Sequence, residues 1–407
     1  MRNTNKKGFT IVELVIVIAV IAILSAVLIP TFSGIINKAN TANDTVVAKN
    51  MNTALAEYSA LNGKPENFDE VLIAIEEAGY VLANLNAKAN GNLYGWDKAN
   101  NQIVYIDAKG EVIYQNVDFV AADLQIVIAN GDVTVPEGFG SAIKMNEPTT
   151  AKTLQAALES GVSVALTTDI ELVSTVIDIK EDVVIELNGH NLDASKHGSR
   201  PFTIKDDATI TIKASGTEEI NCGKYGLVDI KAGGSVVLEG GNYKANTDNG
   251  SFIKIRSSGE TVNVTLNNVN YVDESDDGFV VNKSGFYGEF NLTVNGGSYT
   301  AFAGFQVEDG VFDGVTVNTK SAAFEISGDV ELNNCTITAG NAVVGTAPGA
   351  CVAVSYDGVA TLTNCTLDGA GTGLYIYSTG GSITATGCTI KNNTQKAGEE
   401  YGTITIN

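Results

Sequence analysis

The sequence predicts two structural parts: an α+β N-terminal part with a long helix, and a C-terminal all-β part that is a right-handed parallel β-helix. Residues 9–29 form an apolar run that contains a single charge. Beyond it, apolar residues recur at three- and four-residue steps as far as residue 61, which is typical of one continuous helix. From residue 162 onward, an apolar residue is repeatedly followed two positions later by Gly or Asn, which indicates a solenoid.

The composition excludes several classes of function. The 407 residues include 25 Lys plus Arg and 47 Asp plus Glu, a formal net charge of −22. Such a surface repels phosphate backbones, so no nucleic-acid partner is expected. The five cysteines form no C-x-x-C pair, and none lies near a histidine at metal-ligand spacing. The sequence therefore predicts neither a bound metal nor a cofactor.

The apolar run FTIVELVIVIAVIAILSAVLI is long enough to cross a bilayer as a helix. Arg2, Lys6 and Lys7 precede it, which places the N-terminus in the cytoplasm and the rest of the chain outside. A secretory signal peptide, cut near Ser25-Ala26, and a plain membrane anchor are the alternatives. A signal peptide would have a shorter apolar core, and an anchor would not need the carboxylate of Glu13.

The segment KKG followed by FTIVEL closely resembles the leader and mature start of type IV pilins and type II secretion pseudopilins. The resemblance implies that prepilin peptidase removes leader 1–8 after Gly8 and that Phe9 becomes the methylated N-terminus. It also implies that the Phe9 ammonium of one subunit meets Glu13 of a neighbouring pilin, and that Pro30 bends the helix. The implied partners are the membrane, other pilins and the pilus or type II secretion assembly machinery. The implied location is the cytoplasmic membrane, and then a cell-surface filament.

The pilin-like domain is predicted to span residues 9–117, with the helix continuing to residue 61 and a small head at 62–117. The head should contain a short helix at 67–78, stopped by Gly79, and a three-stranded meander. Trp96 is assigned to the core beneath the long helix. Residues 118–160 are interpreted as a connecting segment with a short helix at 153–159.

The repeats predict a parallel β-helix over residues 161–407, with three short strands and one sharp corner in every coil. Gly and Asn tolerate positive φ best, so their column is assigned to that corner. The corner residues are Gly189, Gly240, Asn268, Gly296, Gly314, Asn334, Asn364 and Gly387.

Residues just after each corner are expected to stack inside the β-helix. They include three cysteines and, two positions further on, three tyrosines, all assigned to the core rather than to a ligand surface. A further strand column is assigned to Phe252, Phe279, Phe305, Phe324, Val352 and Leu374. The opening coils resemble those of pectate-lyase-like β-helices on bacterial surface proteins, a likeness of fold that does not transfer activity.

Two functions remain open from the sequence. The first is a structural or adhesive subunit of a pilus-like or pseudopilus filament, minor or tip-located because of its bulk, with surface glycans as a candidate ligand. The alternative is a membrane-tethered polysaccharide lyase or hydrolase that uses the pilin-type export signal. Catalysis would need clustered carboxylates, and no catalytic set is assigned. The candidates for glycan or ion contact are Asp206, Asp207, Asp276 and Asp277.

Overall fold

A computed structural model of the chain describes residues 11–82, 85–128, 134–231, 233–245, 250–256, 260–283, 289–343, 349–369, 371–391 and 394–407. The chain divides into two compact units, Met1–Ile143 and Lys144–Asn407. The first contains helix α1 (Ile11–Asn62), helix α2 (Phe68–Glu77) and most of a small sheet. The second contains helix α3 (Ala151–Glu159) and the β-helix.

Helix α1 confirms the predicted continuous helix and ends within one residue of the expected position. Its buried face, however, differs from the apolar stripe read from the sequence. Asp44, Ala48, Met51, Ala54 and Leu55 are buried, whereas Val46 and Leu61, both assigned to the stripe, are exposed. The face of α1 that packs against the head therefore contains a carboxylate, which the pattern of apolar residues does not predict.

The head contains the predicted short helix and a sheet larger than the predicted meander. Asn67 caps α2, its side chain accepting a hydrogen bond from the Glu70 amide, and Gly79 follows the helix with φ +86°. Sheet A has the strand order β3-β2-β1-β4-β5 and includes two strands from the segment assigned to a connection. A one-turn 3-10 helix, Ala121–Asp123, precedes the first of these. The strands are β1 (Leu93–Asp97), β2 (Gln102–Ile106), β3 (Val112–Tyr114), β4 (Leu124–Ile128) and β5 (Ala142–Lys144). Trp96 is fully buried, as predicted.

The second unit is a right-handed parallel β-helix of three all-parallel sheets, B, C and D, each visited once per coil. Helix α3 begins at a capping box formed by Thr150 and Thr153 and packs beside the first strands of sheets B and D. Sheet B consists of β6 (Val164–Ala165), β9 (Val183–Glu186), β12 (Thr209–Lys213), β15 (Gly234–Glu239), β18 (Val262–Asn267), β21 (Phe290–Asn295), β24 (Asp309–Asp313), β27 (Asp329–Asn333), β30 (Val359–Thr363), β33 (Ser382–Thr386) and β36 (Thr403–Ile406).

The other two sheets have ten strands each. Sheet C consists of β7 (Ile170–Glu171), β10 (Leu192–Asp193), β13 (Glu219–Asn221), β16 (Asn242–Ala245), β19 (Asn270–Asp273), β22 (Ser298–Ala301), β25 (Thr316–Thr319), β28 (Thr336–Ala339), β31 (Thr366–Gly369) and β34 (Thr389–Ile390). Sheet D consists of β8 (Ile177–Ile179), β11 (Phe202–Ile204), β14 (Val228–Ile230), β17 (Ser251–Ile255), β20 (Phe279–Asn282), β23 (Ala303–Val307), β26 (Phe324–Ile326), β29 (Ala350–Val354), β32 (Thr372–Ile376) and β35 (Thr394–Ala397).

The corner between sheets B and C confirms the Gly/Asn column. All eight predicted corner residues have positive φ, between 53° at Asn268 and 85° at Gly189. Side-chain amides stack along the same edge: Asn295 donates to Asn267 at 2.9 Å, one coil and 28 residues away. The repeated corner thus fixes the register of both flanking sheets.

The interior confirms most of the predicted columns and corrects one. Tyr243, Tyr271 and Tyr299 are buried at adjacent positions of sheet C, so they are core residues. In sheet D, however, Phe305 pairs with Val281 and not with Phe279, so Phe279 and Phe252 lie outside the column assigned to them. Phe252 is still buried and stacks on Tyr271 with ring centroids 4.3 Å apart, whereas Phe279 is half-buried.

The coil around Ala214, where the Gly/Asn rule fails, contains a loop held by a buried carboxylate. Glu218 accepts hydrogen bonds from the Ser215 hydroxyl and from the amides of Gly189, Gly216 and Thr217. Burial alone would raise the pKa of Glu218, but these hydrogen bonds lower it to about 2. The loop leaves sheet register intact, because β12 pairs with β15 and β13 with β16 on the same coil.

Candidate functional site

The N-terminal half of α1 is apolar on every side and exposed. Its large apolar residues between Ile11 and Ile29 are 47% to 81% exposed, and this part of the helix satisfies the length and hydropathy of a membrane span. A helix that is apolar all round is stable only in lipid or against other helices. This segment is therefore the first candidate functional surface. Lipid or other helices, and not the rest of this fold, are what would cover it.

Glu13 and Pro30 both lie on this helix, in its first turn and in its interior respectively. Pro30 removes one amide donor, and the next residue, Thr31, turns its hydroxyl back to the Val27 carbonyl at 2.8 Å. Gly8 and Phe9, the predicted cleavage and methylation positions, lie outside the described residues. Glu13 remains the single acidic residue of the apolar run.

The C-terminal half of α1 is anchored to the head through Asp44. This carboxylate is 1% exposed and accepts hydrogen bonds from the Ala89 amide at 2.8 Å and the Tyr105 hydroxyl at 3.0 Å. Burial and the Asp44 charge raise the pKa of Tyr105 to about 12, against a hydrogen bond from Asn92 that lowers it. Burial, followed by the same carboxylate, also raises the pKa of Tyr94. These shared contacts fix α1 against β1 and β2.

Asn52 makes a second polar connection on the same helix. Its amide donates to the Ile103 carbonyl and its oxygen accepts from the Ile103 amide, both at 2.8 Å. β3 pairs with β2 only near Tyr105 and Ile106, so Asn52 takes the place of a strand partner at Ile103. The junction combines apolar packing with directional hydrogen bonds.

The four candidate carboxylates of the β-helix do not form one site. Asp206 and Asp207 lie in the turn between β11 and β12, whereas Asp276 and Asp277 lie between β19 and β20, at a different corner of the coil. Repulsion from Glu260 raises the pKa of Asp207, and Asp276 makes an ion pair with Lys320 at 2.5 Å. Lys320 holds the pKa of Asp276 below its ordinary value. The paired carboxylates that the enzyme hypothesis needs are thus not brought together.

Sheet D contains a cavity that the sequence analysis did not identify. Its volume is about 480 Å³, and its wall includes three cationic side chains, those of Arg200, Lys254 and Arg256. Arg200 precedes β11 and is 7% exposed, Lys254 is half-buried on β17, and Arg256 follows that strand. The exposed ring of Tyr225 also lines the cavity. We call this feature the cationic cavity.

The cations of this cavity are only partly neutralised. Arg256 Nε lies 3.1 Å from Asp229 Oδ1, and Lys254 Nζ donates to Asn282 Oδ1. Within the described ranges, no carboxylate oxygen lies within 4.0 Å of the charged nitrogens of Arg200 or Lys254. Burial, followed by the neighbouring arginines, lowers the pKa of Lys254 to about 8; burial, followed by Arg256 and against Asp229, lowers that of Arg200 to about 10.

One residue of the cavity, Arg256, belongs to a row of cations that is visible in the sequence. Four isoleucines paired in register along sheet D are each followed by Lys or Arg. The pairs are Ile179-Lys180, Ile204-Lys205, Ile230-Lys231 and Ile255-Arg256. In a chain of net charge −22 this row of cations is distinctive. Sequence alone does not bring Arg200 to it, because that contact depends on the turn before β11.

The first unit defines a class of protein: an apolar N-terminal helix that continues, through an internal proline, into a helix packed on a small antiparallel sheet is the arrangement expected of a pilin. Residues 3–29 match the prokaryotic N-terminal methylation motif. No solved structure matches the chain.

Relatives agree with this class. The chain is 37% identical over 119 residues to a fimbrial protein of Neisseria meningitidis serogroup B, covering 24% of this chain and 70% of that protein. It is 41% identical over 66 residues to the type IV major pilin protein PilE1 of Neisseria gonorrhoeae, covering 16% of this chain and 40% of that pilin. It is 55% identical over 51 residues to the type IV wide pilus major component PilA4 of Thermus thermophilus, covering 12% and 37%. The chain belongs to the type IV pilin family.

Proposed function

We propose that the chain is a minor or tip-located subunit of a type IV pilus-like or pseudopilus filament that displays the β-helix as an adhesive module. The observation that carries this proposal is the exposed apolar segment of α1, residues 11–29, in which Glu13 is the single acid and which lies inside a methylation motif that spans residues 3–29. A carboxylate in a membrane helix is costly, by up to about 2.5–3.5 kcal/mol at the helix centre on insertion scales, and so favours a partner. In the assembled filament, the N-terminal ammonium of a neighbouring subunit is that partner.

The proposal includes a maturation sequence. The helix inserts into the cytoplasmic membrane with its leader inside, prepilin peptidase removes residues 1–8, and Phe9 is methylated. The assembly machinery then transfers the helix from lipid into a bundle of pilin helices, and the head and β-helix emerge on the cell surface. The bulk of the β-helix favours a sparse or terminal position over the main shaft.

The cleavage step is tested by N-terminal sequencing of the mature chain made with and without prepilin peptidase. We expect a methylated Phe9 with the enzyme and an intact leader without it. A mature N-terminus at Thr10 or Ala26 would contradict the proposed cut.

The assembly step is tested with Glu13→Ala, with Glu13→Asp as the variant that keeps the charge. Loss of the ion pair should reduce incorporation into sheared filaments by at least about tenfold, since breaking a buried pair costs roughly 3–5 kcal/mol. Membrane insertion of Glu13→Ala should be unchanged or improved. Ser25→Ala, on the same apolar segment, is the matched control and should assemble normally. Normal incorporation of Glu13→Ala would remove the filament proposal and leave a tethered surface domain.

A further inference from the structure

The cationic cavity has the composition of a binding site for a negatively charged sugar. We propose that it binds an oxyanion carried by a saccharide, either the carboxylate of an acidic sugar or the sulfate of a sulfated one. The proposal rests on the proposed role of the β-helix as a surface-binding module and names the chemistry of its ligand.

Arg200 gives the most direct indication of a ligand. The side chain is buried, and its hydrogen bonds use Nε and Nη2, which donate to the Ser251 carbonyl at 3.4 Å and the Ser251 hydroxyl at 3.1 Å. Nη1 has no acceptor among the described residues, although the side chain lines the cavity. A buried guanidinium normally satisfies its planar fork with a carboxylate or a similar oxyanion. The structure supplies the fork and leaves room for the anion.

Lys254 and Arg256 add two more donors to the same wall. Three cations face one nearby carboxylate, Asp229, whose contact is with Arg256. Like charges in a half-buried cavity destabilise one another, and burial first, followed by this repulsion, lowers the pKa of Lys254. An oxyanion bound between Arg200 and Lys254 would neutralise the excess charge. Ligand binding would therefore replace repulsion with charge-assisted hydrogen bonds.

The remaining wall favours a saccharide over a bare ion or a nucleic acid. Tyr225 lines the cavity and is 37% exposed as a residue, with Lys224 Nζ 5.4 Å from its ring centroid, and aromatic rings pack against the apolar faces of ligands. The cavity volume of about 480 Å³ lies within the usual range for small-molecule sites, about 300–1,000 Å³. The net charge of −22 opposes the approach of a long polyphosphate, whereas a short acidic saccharide brings few charges.

The test is calorimetric titration of the full chain, purified in a non-ionic detergent, with four probes. These are a trigalacturonate, a sulfated galactose trisaccharide, the neutral maltotriose and sodium sulfate. We expect binding of the carboxylated probe, the sulfated probe or both, which identifies the source of the oxyanion. Maltotriose should not bind, and sulfate should bind at least about tenfold more weakly than the preferred trisaccharide, because it lacks the ring contact with Tyr225.

The variants separate the cavity from the general charge of the protein. Lys254→Gln should weaken binding roughly tenfold, the usual effect of losing one hydrogen bond to a charged group. Lys213→Gln removes the same charge from an exposed side chain on sheet B, and its affinity should match the unaltered chain. Arg200→Lys keeps the charge and loses the fork, so it should also weaken binding. A far-ultraviolet circular dichroism spectrum checks that each variant retains its β-helix.

Several results would overturn the inference. They are equal binding of maltotriose, equal affinities for sulfate and the trisaccharides, equal losses in Lys254→Gln and Lys213→Gln, or binding of neither trisaccharide. A single-stranded oligonucleotide is titrated as a fifth probe, and tighter binding of it than of either trisaccharide would replace the proposed ligand class.

This test is independent of the filament proposal. Trisaccharide binding is measured on detergent-solubilised chain, whereas incorporation is measured on filaments with Glu13→Ala. A chain that binds but never enters filaments refutes only the proposed assembly role. A chain that assembles but binds no probe refutes only the proposed ligand.

Discussion

The two units contain the same aliphatic residues in opposite surroundings. Ile16 and Ile18 in α1 are each 57% exposed, whereas Ile230 and Ile255 in sheet D are fully buried. The β-helix buries its aliphatic side chains by stacking coil on coil, so its stabilising contacts are internal. The first half of α1 has no such contacts within the described chain, and burial of its apolar surface must come from lipid or from other helices. One unit buries its own apolar residues, and part of the other leaves them exposed.

The largest effect on stability is expected from a cavity in the β-helix core. Phe305 is 1% exposed and lies within 5.5 Å, centroid to centroid, of the Tyr299, Phe312 and Phe324 rings. Phe305→Ala should lower the free energy of unfolding of the β-helix by about 3–5 kcal/mol. The measurement is denaturant unfolding followed by far-ultraviolet circular dichroism. Trp96, the single tryptophan, reports the head separately by fluorescence.

The matched control is Ile18→Ala, a truncation of an exposed aliphatic side chain on α1. It should change the free energy of unfolding of either unit by less than about 0.5 kcal/mol, as surface substitutions usually do. Its effect should fall on partition into membranes. A loss of more than 1 kcal/mol in β-helix stability from Ile18→Ala would contradict the division of roles.

A smaller effect on stability is expected at Asp44, in the half of α1 that packs on the head. Asp44→Asn keeps the shape and loses the negative charge that accepts from Ala89 and Tyr105. It should lower the free energy of unfolding of the head by about 1–2 kcal/mol, because both donors bond Oδ2 and a neutral amide oxygen in that place accepts weaker hydrogen bonds than a carboxylate. Trp96 fluorescence during denaturant unfolding gives the value. Glu57→Gln, an exposed acid on the same helix, is the control; equal losses from both variants would show that Asp44 has no special role.

The β-helix corner offers a finer test of internal stabilisation. Asn334 has φ +55° and donates to the Asp313 carboxylate at 2.9 Å. Asn334→Ala forces a β-carbon into this conformation without the side-chain bond and should cost about 1–2 kcal/mol, whereas Asn334→Gly should cost less. Asn333→Ala is the control, because it removes a side-chain amide from the adjacent residue, whose backbone is extended. A larger loss from Asn334→Gly than from Asn334→Ala would refute the backbone explanation.

Periodic features were predictable from the sequence, and contacts between distant segments were not. The corner column was correct because positive φ selects Gly and Asn locally, whatever lies around them. The Phe252 and Phe279 assignments were wrong because the loops between strands vary in length. Spacing along the sequence therefore does not show which residues of neighbouring strands in sheet D pair. Asp44 lies on the buried face of α1 because a tyrosine hydroxyl and a backbone amide of the head donate hydrogen bonds to its carboxylate. A pattern of apolar residues cannot predict such contacts. The cationic cavity was not predicted for the same reason, because Arg200 contacts residues of other coils.

The charges of the cationic cavity are only partly neutralised, and the pH dependence of stability can measure the effect. Lys254 is faced by Arg200, Arg256 and Asp229, and burial followed by the two arginines lowers its pKa from 10.5 to about 8. Between these values the unfolded chain binds more protons at this site than the folded chain, so this site's contribution to stability increases with pH. In the ligand-free chain, the free energy of unfolding relative to Lys254→Gln should therefore rise between pH 8 and 10.5. Affinity for the anionic trisaccharide should fall over the same interval, because the deprotonated amine no longer attracts the oxyanion. A stability difference that is constant with pH, or that falls, would show that folding does not lower the pKa of Lys254.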